Sequence, residues 1–255
     1  RYGDGLFETI FVSDQNPLFI DLHFNRLVAG MQMLEIDIPV EWNTDYFKNT
    51  IHELATRNNF QNARCRITVW REGEGFYLPQ TNSASLLIEL FSSVANEYIL
   101  NEKGVVLGVF EKIPKPIHPL SVFKTANSLV YIMAAKFARE KKFDDVVILN
   151  NERRIADAVS SNILFLKNNQ LHTPALNEGG IDGVMKKVII ELCRLENIVV
   201  NETQLTIKDL ISADEIFLTN VISGIRWVGE FQNRKYGNKF STDLIYIVNE
   251  AIRNN

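Results

Sequence analysis

The chain has 255 residues, 46% hydrophobic and 23% charged, and its 27 Lys and Arg against 31 Asp and Glu leave a formal net charge of −4. That balance belongs to an ordinary globular protein and excludes a disordered chain, a disulfide scaffold and a basic grip on nucleic acid. No apolar run approaches the roughly 18 residues that a membrane span needs, so small-molecule chemistry is the expected business of the chain.

The length suits one large α/β domain or two smaller ones. Residues 6–12 read as a strand, after which Asp21 is expected to cap a helix carrying Leu27, Met31 and Leu34 at helical spacing. Thr44 is the next expected cap, ahead of a stripe of Phe47, Ile51 and Leu54. From residue 64 to 71 the period changes to two, with Cys65, Ile67 and Val69 on one side and Arg64, Arg66, Thr68 and Trp70 on the other. Such an arginine face is either solvated or turned to an anionic ligand. Apolar strands are expected at 86–91 and 105–110. Three prolines within 112–119 then predict an extended linker. The domain organisation that follows is a small α/β domain over 1–111, a linker over 112–121 and a larger domain over 122–255. In the larger domain a helix over 127–142 is expected to turn Leu129, Ile132, Met133 and Phe137 inward. Strands at 146–149, 163–166 and 216–219, a helix over 184–196 and a last helix from Ser241 complete the reading. Cys65 and Cys193 lack metal-ligand spacing and read as reduced core thiols, which with the lack of a charged-then-apolar leader predicts a cytoplasmic protein.

Four segments could carry chemistry. Lys124 follows the prolines, flanked by Val122 and Phe123, just before a helix start; apolar neighbours and a helix dipole both disfavour its ammonium, making the amine a candidate Schiff-base nucleophile. A surface lysine on a loop is the plain alternative. The run from Gly179 to Met185 is a glycine-rich turn entering a helix, able to converge backbone N–H groups on a phosphate or to serve only as a turn. Thr219 and Asn220 end a strand, where open α/β sheets bind ligands. Asp157 lies among small apolar residues and needs a cationic partner if buried, which a positive ring nitrogen would supply. His23, His52, His118 and His172 do not cluster as zinc ligands, and no Gly-x-Ser-x-Gly elbow occurs.

Taken in order, these pieces resemble the class IV aminotransferase family, the fold type IV pyridoxal-phosphate enzymes, which include branched-chain and D-amino-acid aminotransferases and 4-amino-4-deoxychorismate lyase. The resemblance spans nearly the whole chain through Tyr2-Gly3-Asp4-Gly5-Leu6-Phe7-Glu8-Thr9, Asp21-Leu22-His23-Phe24-Asn25-Arg26-Leu27, Lys124-Thr125-Ala126-Asn127, Ser160-Ser161-Asn162-Ile163, Gly180 to Lys186 and Ala213 to Asn220. It implies a two-domain α/β fold, pyridoxal 5'-phosphate as cofactor and a homodimer. Lys124 would bond to the cofactor and move protons; Arg26, the amides of Val184 and Met185, and Thr219 with Asn220 would hold its phosphate; Asp157 would face its ring nitrogen, where the family usually has Glu. Leu129, at the place of a tyrosine in branched-chain aminotransferases, and Thr9, matching a lyase-branch threonine beside the lysine, point to the lyase, with release of pyruvate and 4-aminobenzoate. Glu74 stands where the enteric lyase has an arginine, leaving Arg64, Arg66 or Arg71 to meet a carboxylate; Tyr2, Phe7, Arg66 and Arg71 are the expected substrate contacts. An aminotransferase of branched-chain or D-amino acids is the alternative, and a non-catalytic binding protein on the same fold is the alternative of another class.

Overall fold

The computed structural model describes residues 2–74, 76–93 and 95–253. The chain falls into two compact units, one of Arg1–Glu97 with Phe123–Ser128 and the other of Tyr98–Val122 with Leu129–Asn255. The division therefore lies at Glu97, and the proline-rich stretch belongs inside the second unit.

In the first unit β1 (Gly5–Ser13), β2 (Asn16–Pro17), β3 (Ala63–Arg71) and β4 (Ala84–Ser92) form a sheet in the order β2-β1-β3-β4. Helices α1 (Ile20–Met33) and α2 (Thr44–Arg57) accompany it. The period-two pattern of β3 appears as expected: Cys65, Ile67 and Val69 are buried, while Arg64 and Trp70 are exposed. Leu6, Ile10, Leu27, Met31, Phe47 and Ile51 share one apolar core, so each element buries a single face. The caps differ from expectation. Phe19, at φ 55, precedes α1 without a side-chain bond, and Asn43, not Thr44, caps α2 by accepting from the Tyr46 amide at 2.8 Å. Residues 123–128 join this unit as a short strand-like addition to β1: Phe7 N donates to Lys124 O at 2.8 Å and Ala126 N to Gly5 O at 2.8 Å.

In the second unit come β5 (Val105–Lys115), α3 (Leu129–Lys141), β6 (Asp145–Asn150), β7 (Ile155–Ala158), β8 (Asn162–Lys167), β9 (Gln170–Pro174) and α4 (Val184–Leu195). They are followed by β10 (Val200–Thr203), α5 (Ile207–Ile211), β11 (Glu215–Asn220), β12 (Gly224–Phe231), β13 (Arg234–Lys235) and α6 (Lys239–Arg253). Among the described residues the strands make one mixed sheet, β10-β9-β8-β11-β12-β5-β6-β7, with β13 on β12.

Two sequence readings fail here. The first part of the expected linker, 112–115, is the end of β5: after Phe110 pairs with Ile148 the ladder breaks, then resumes with Lys115 opposite Asn150, and Pro114 falls in the unpaired stretch where a missing N–H costs nothing. Helix α3 keeps Phe137 inward as expected but turns the other three expected residues out. Ala134 and Ala138 are its buried residues and Phe137 packs on Phe110, whereas Leu129, Ile132 and Met133 are exposed.

Candidate active site

On β1 the side chains alternate. Leu6, Glu8 and Ile10 are buried on one side, while Phe7 and Thr9 share the other. The Lys124 ammonium nitrogen lies 4.6 Å from the Phe7 ring centroid, and the Arg66 guanidinium carbon 4.1 Å from it. Register places Arg66 opposite Thr9 and Thr68 opposite Phe7, so one sheet face collects Phe7, Thr9, Arg66, Thr68 and the lysine. A partly buried amine over an aromatic face is attracted by the ring quadrupole.

Behind that face lies a buried charged cluster in which Arg26, expected at the cofactor phosphate, pairs with Glu8, whose role the sequence reading left out. Glu8 accepts from His23 Nδ1 at 2.7 Å, from Arg26 Nε at 2.8 Å and from Arg26 Nη2 at 2.5 Å. Burial raises the Glu8 carboxyl, but the Arg26 charge and the bonds from His23 and Arg26 outweigh it and hold the group down to about 2. Burial lowers His23, against the pull of Glu8, so the imidazole is neutral; its Nδ1–H goes to Glu8, and Nε2 is buried without a hydrogen-bond partner. The signal was present in the parity of Leu6, Glu8 and Ile10: an acid on the apolar side of a strand must have partners.

A cavity of about 270 Å³ opens in the same unit, lined by Tyr2, Gly5, Thr68, Arg71, Glu74 and Ala126. Tyr2 meets Tyr77 at a tilt of 37°, ring centroids 5.0 Å apart. Arg71 is heavily engaged: Nε donates to Asp4 at 2.8 Å, Nη1 to Glu35 O at 2.8 Å and to Asn82 Oδ1 at 2.6 Å, and Nη2 to Leu34 O. Arg71 is thus a strut between β3 and the end of α1, in contrast to its expected place at a substrate.

In the second unit Asp157 sits on β7 and is 2% exposed. Opposite it the ladder skips: Ile148 pairs with Asp157 but Leu149 with Ile155, so Ala156 is an extra residue that turns the strand beside the acid. Asp157 Oδ1 accepts from Asn162 Nδ2 at 3.0 Å; Oδ2 accepts from Ile181 N at 2.8 Å, Tyr131 Oη at 2.9 Å and Lys115 Nζ at 3.4 Å. A cation for the buried acid therefore exists within the chain. Gly183 precedes α4 with no side-chain cap, leaving the first amides of the helix, Val184 and Met185 among them, to an anion. A Cβ on Gly183 would lie 1.8 Å from Asn162 Oδ1, which fixes the glycine by space rather than by φ. Thr219 is buried and its hydroxyl donates to Gly224 O at 2.8 Å. Asn220 accepts from the Ile222 and Ser223 amides at 2.9 and 2.8 Å and donates to Ser161 Oγ at 3.1 Å, so both residues shape the turn after β11.

Comparison with known proteins gives this arrangement a family. A model of amino-transferase class IV matches residues 5–231. The chain belongs to that family. It is 33% identical over 252 residues to a "Probable branched-chain-amino-acid aminotransferase" of Aquifex aeolicus, covering 93% of this chain and 79% of the relative. It is 26% identical over 226 residues to the aminodeoxychorismate lyase of Vibrio harveyi, covering 88% and 82%. The solved structure of a Brucella abortus aminotransferase bound to PLP superposes with a TM-score of 0.83 at 21% identity, covering 99% of this chain and 90% of that one, a likeness of fold. The chain is a fold type IV pyridoxal-phosphate enzyme. Its donor set fits the cofactor: an uncapped helix N-terminus suits a phosphate, a buried carboxylate suits a ring nitrogen, and a lysine on an aromatic face suits an aldehyde. Among the described residues no helix is long and apolar enough to cross a membrane.

Proposed function

We propose that the chain is a lyase acting on 4-amino-4-deoxychorismate, releasing pyruvate and 4-aminobenzoate. The observation that carries the reading is Thr9 on the same strand face as Phe7, over whose ring the Lys124 amine lies. A hydroxyl on that face gives the chain a proton carrier beside its base, which an elimination needs and a simple transamination does not. Pyridoxal phosphate, when bound, supplies the electron sink. Lys124 would hold the cofactor through its aldehyde and would serve as the base for the proton on the substrate carbon that bears the amine. Thr9 would relay that proton from Lys124 to the enolpyruvyl group as it leaves as pyruvate, restoring both side chains. Asp157 would face the ring nitrogen. Arg26, oriented by its two bonds to Glu8, and the amides of Val184 and Met185 would hold the phosphate, with Thr219 and Asn220 shaping the turn after β11. Arg66 meets a substrate carboxylate, with Tyr2 and Phe7 as its apolar company; Arg71, occupied elsewhere, does not.

A second reading has an observation of its own. Glu72 and Glu74 line the cavity beside Ala126, and two acids repel a substrate with two carboxylates, which favours an aminotransferase of branched-chain or D-amino acids. One assay separates the readings. Purified enzyme given 4-amino-4-deoxychorismate without any keto acid releases pyruvate if it is the lyase; turnover that needs a keto-acid acceptor and releases no pyruvate overturns the proposal. We place the enzyme in the cytoplasm, in keeping with its buried free thiols Cys65 and Cys193, and read it as a homodimer.

A further inference from the structure

Asp157 meets the Lys115 ammonium at 3.4 Å in a setting where both groups are almost wholly buried, 2% and 5% exposed. Lys115 comes from the last residue of β5, beyond the interruption that lets the strand pass its prolines, and its pairing with Asn150 fixes its place beside β6 and β7. Besides Asp157, the ammonium donates to Ser121 O at 3.0 Å and lies 5.1 Å from the Tyr131 ring centroid, whose hydroxyl in turn donates to Asp157 Oδ2. Nothing in the cofactor reading used this lysine.

Two positive groups around one carboxylate compete for it. A protonated ring nitrogen at Asp157 would feel the attraction of the carboxylate and the repulsion of Lys115 together, and at low local dielectric neither is small. Oδ2 is the crowded oxygen, with three donors, while Oδ1 has one, from Asn162. We propose that Lys115 is a positioning residue that shares Asp157 with the cofactor, holding the carboxylate through Oδ2 and weakening its grip on a ring-nitrogen proton. Burial lowers the proton affinity of Lys115 itself while Asp157 opposes that change, as expected of a cation that can yield to a second one. The inference rests on Asp157 facing the ring nitrogen, as read under the proposed function.

The test uses the holoenzyme loaded with pyridoxal phosphate isotopically labelled at the ring nitrogen, read by nitrogen NMR. In Lys115→Met the ring resonance is expected to move toward the protonated-pyridine position; in Lys115→Arg, which keeps the charge, it stays with the wild type. Lys115→Gln serves in place of the methionine variant if that one does not fold. A resonance that moves in Asp157→Asn but not in Lys115→Met or Lys115→Gln overturns the inference alone. One that ignores the Asp157 change as well overturns the assignment of Asp157 to the ring, and the inference falls with it.

Discussion

Arg66 and Arg71 stand five positions apart on one strand, and their surroundings give them opposite duties. Arg66 spends its guanidinium on the Phe7 ring and a long bond to Thr68 at 3.3 Å, so its charge remains available to an incoming anion. Arg71 ties together carbonyls at the end of α1, Asp4 and Asn82. Arg66→Ala is therefore expected to raise KM by about tenfold or more with the fold intact, since a charge-assisted bond contributes roughly 1.5–3 kcal/mol. Arg71→Ala is expected to lower the folding free energy by a similar amount, because it leaves carbonyls without donors. Steady-state kinetics beside urea titration decide the matter, and equal KM effects in both variants would contradict the division.

The Glu8 carboxyl carries a pH dependence at the same scale. The unfolded chain takes up this proton near the ordinary value of 4.5, the folded chain only near 2. The stabilisation, on the order of 3 kcal/mol, is complete above 4.5 and lost as pH falls through 2. His23 has a lowered folded value, so only the unfolded imidazole gains a proton as pH falls past 6.5, and that loss comes first. Urea midpoints measured from neutral to acid pH should show a steep limb in the wild type and a shallower one in Glu8→Gln below pH 4.5; identical limbs would refute it.

At the scale of elements, Gly183 is the tightest glycine near Asp157. Gly183→Ala forces Asn162 aside, and Asn162 bridges Asp157 to the Ile181 carbonyl. The expected cost is about 1–3 kcal/mol of stability, together with weaker cofactor binding, read by thermal melting and by titration with pyridoxal phosphate. What the sequence made legible follows from periodicity. The arginine side of β3 and the glycine turn into α4 were plain because period two and a helix start are local signals. The outward turn of Leu129, Ile132 and Met133 on α3 was not, since Ala134 and Ala138, which pack inward with Phe137, carry little hydrophobic contrast against them. Nor was the pair of Lys115 and Asp157, which lie 42 positions apart and meet only because β5, β6 and β7 are neighbours, with one ladder skip before each residue's contact is made.

At the scale of the molecule, the resemblance implied a cofactor-bonding role for Lys124, whereas composition and spacing alone left it as readily a loop lysine. What separates the two is where residues 123–128 go: they pair with β1, and that pairing cannot be read from the hexapeptide itself. The exposed apolar residues of α3 belong to this scale also. Leu129, Ile132 and Met133 make a strip that one copy of the chain leaves in water. Light scattering is expected to return twice the mass of the chain, and Ile132→Asp to return a single chain; a wild-type monomer at assay concentrations would refute the homodimer.

The short addition of residues 123–126 to β1 has a practical corollary for anyone dividing the gene. A fragment ending at Glu97 retains every named strand of the first sheet, but it bares the Gly5 and Phe7 backbone groups that Ala126 and Lys124 now satisfy. An uncovered edge recruits its like. Such a fragment would precipitate from dilute solution, and a synthetic peptide carrying Phe123–Ser128 would be the remedy that keeps it dissolved.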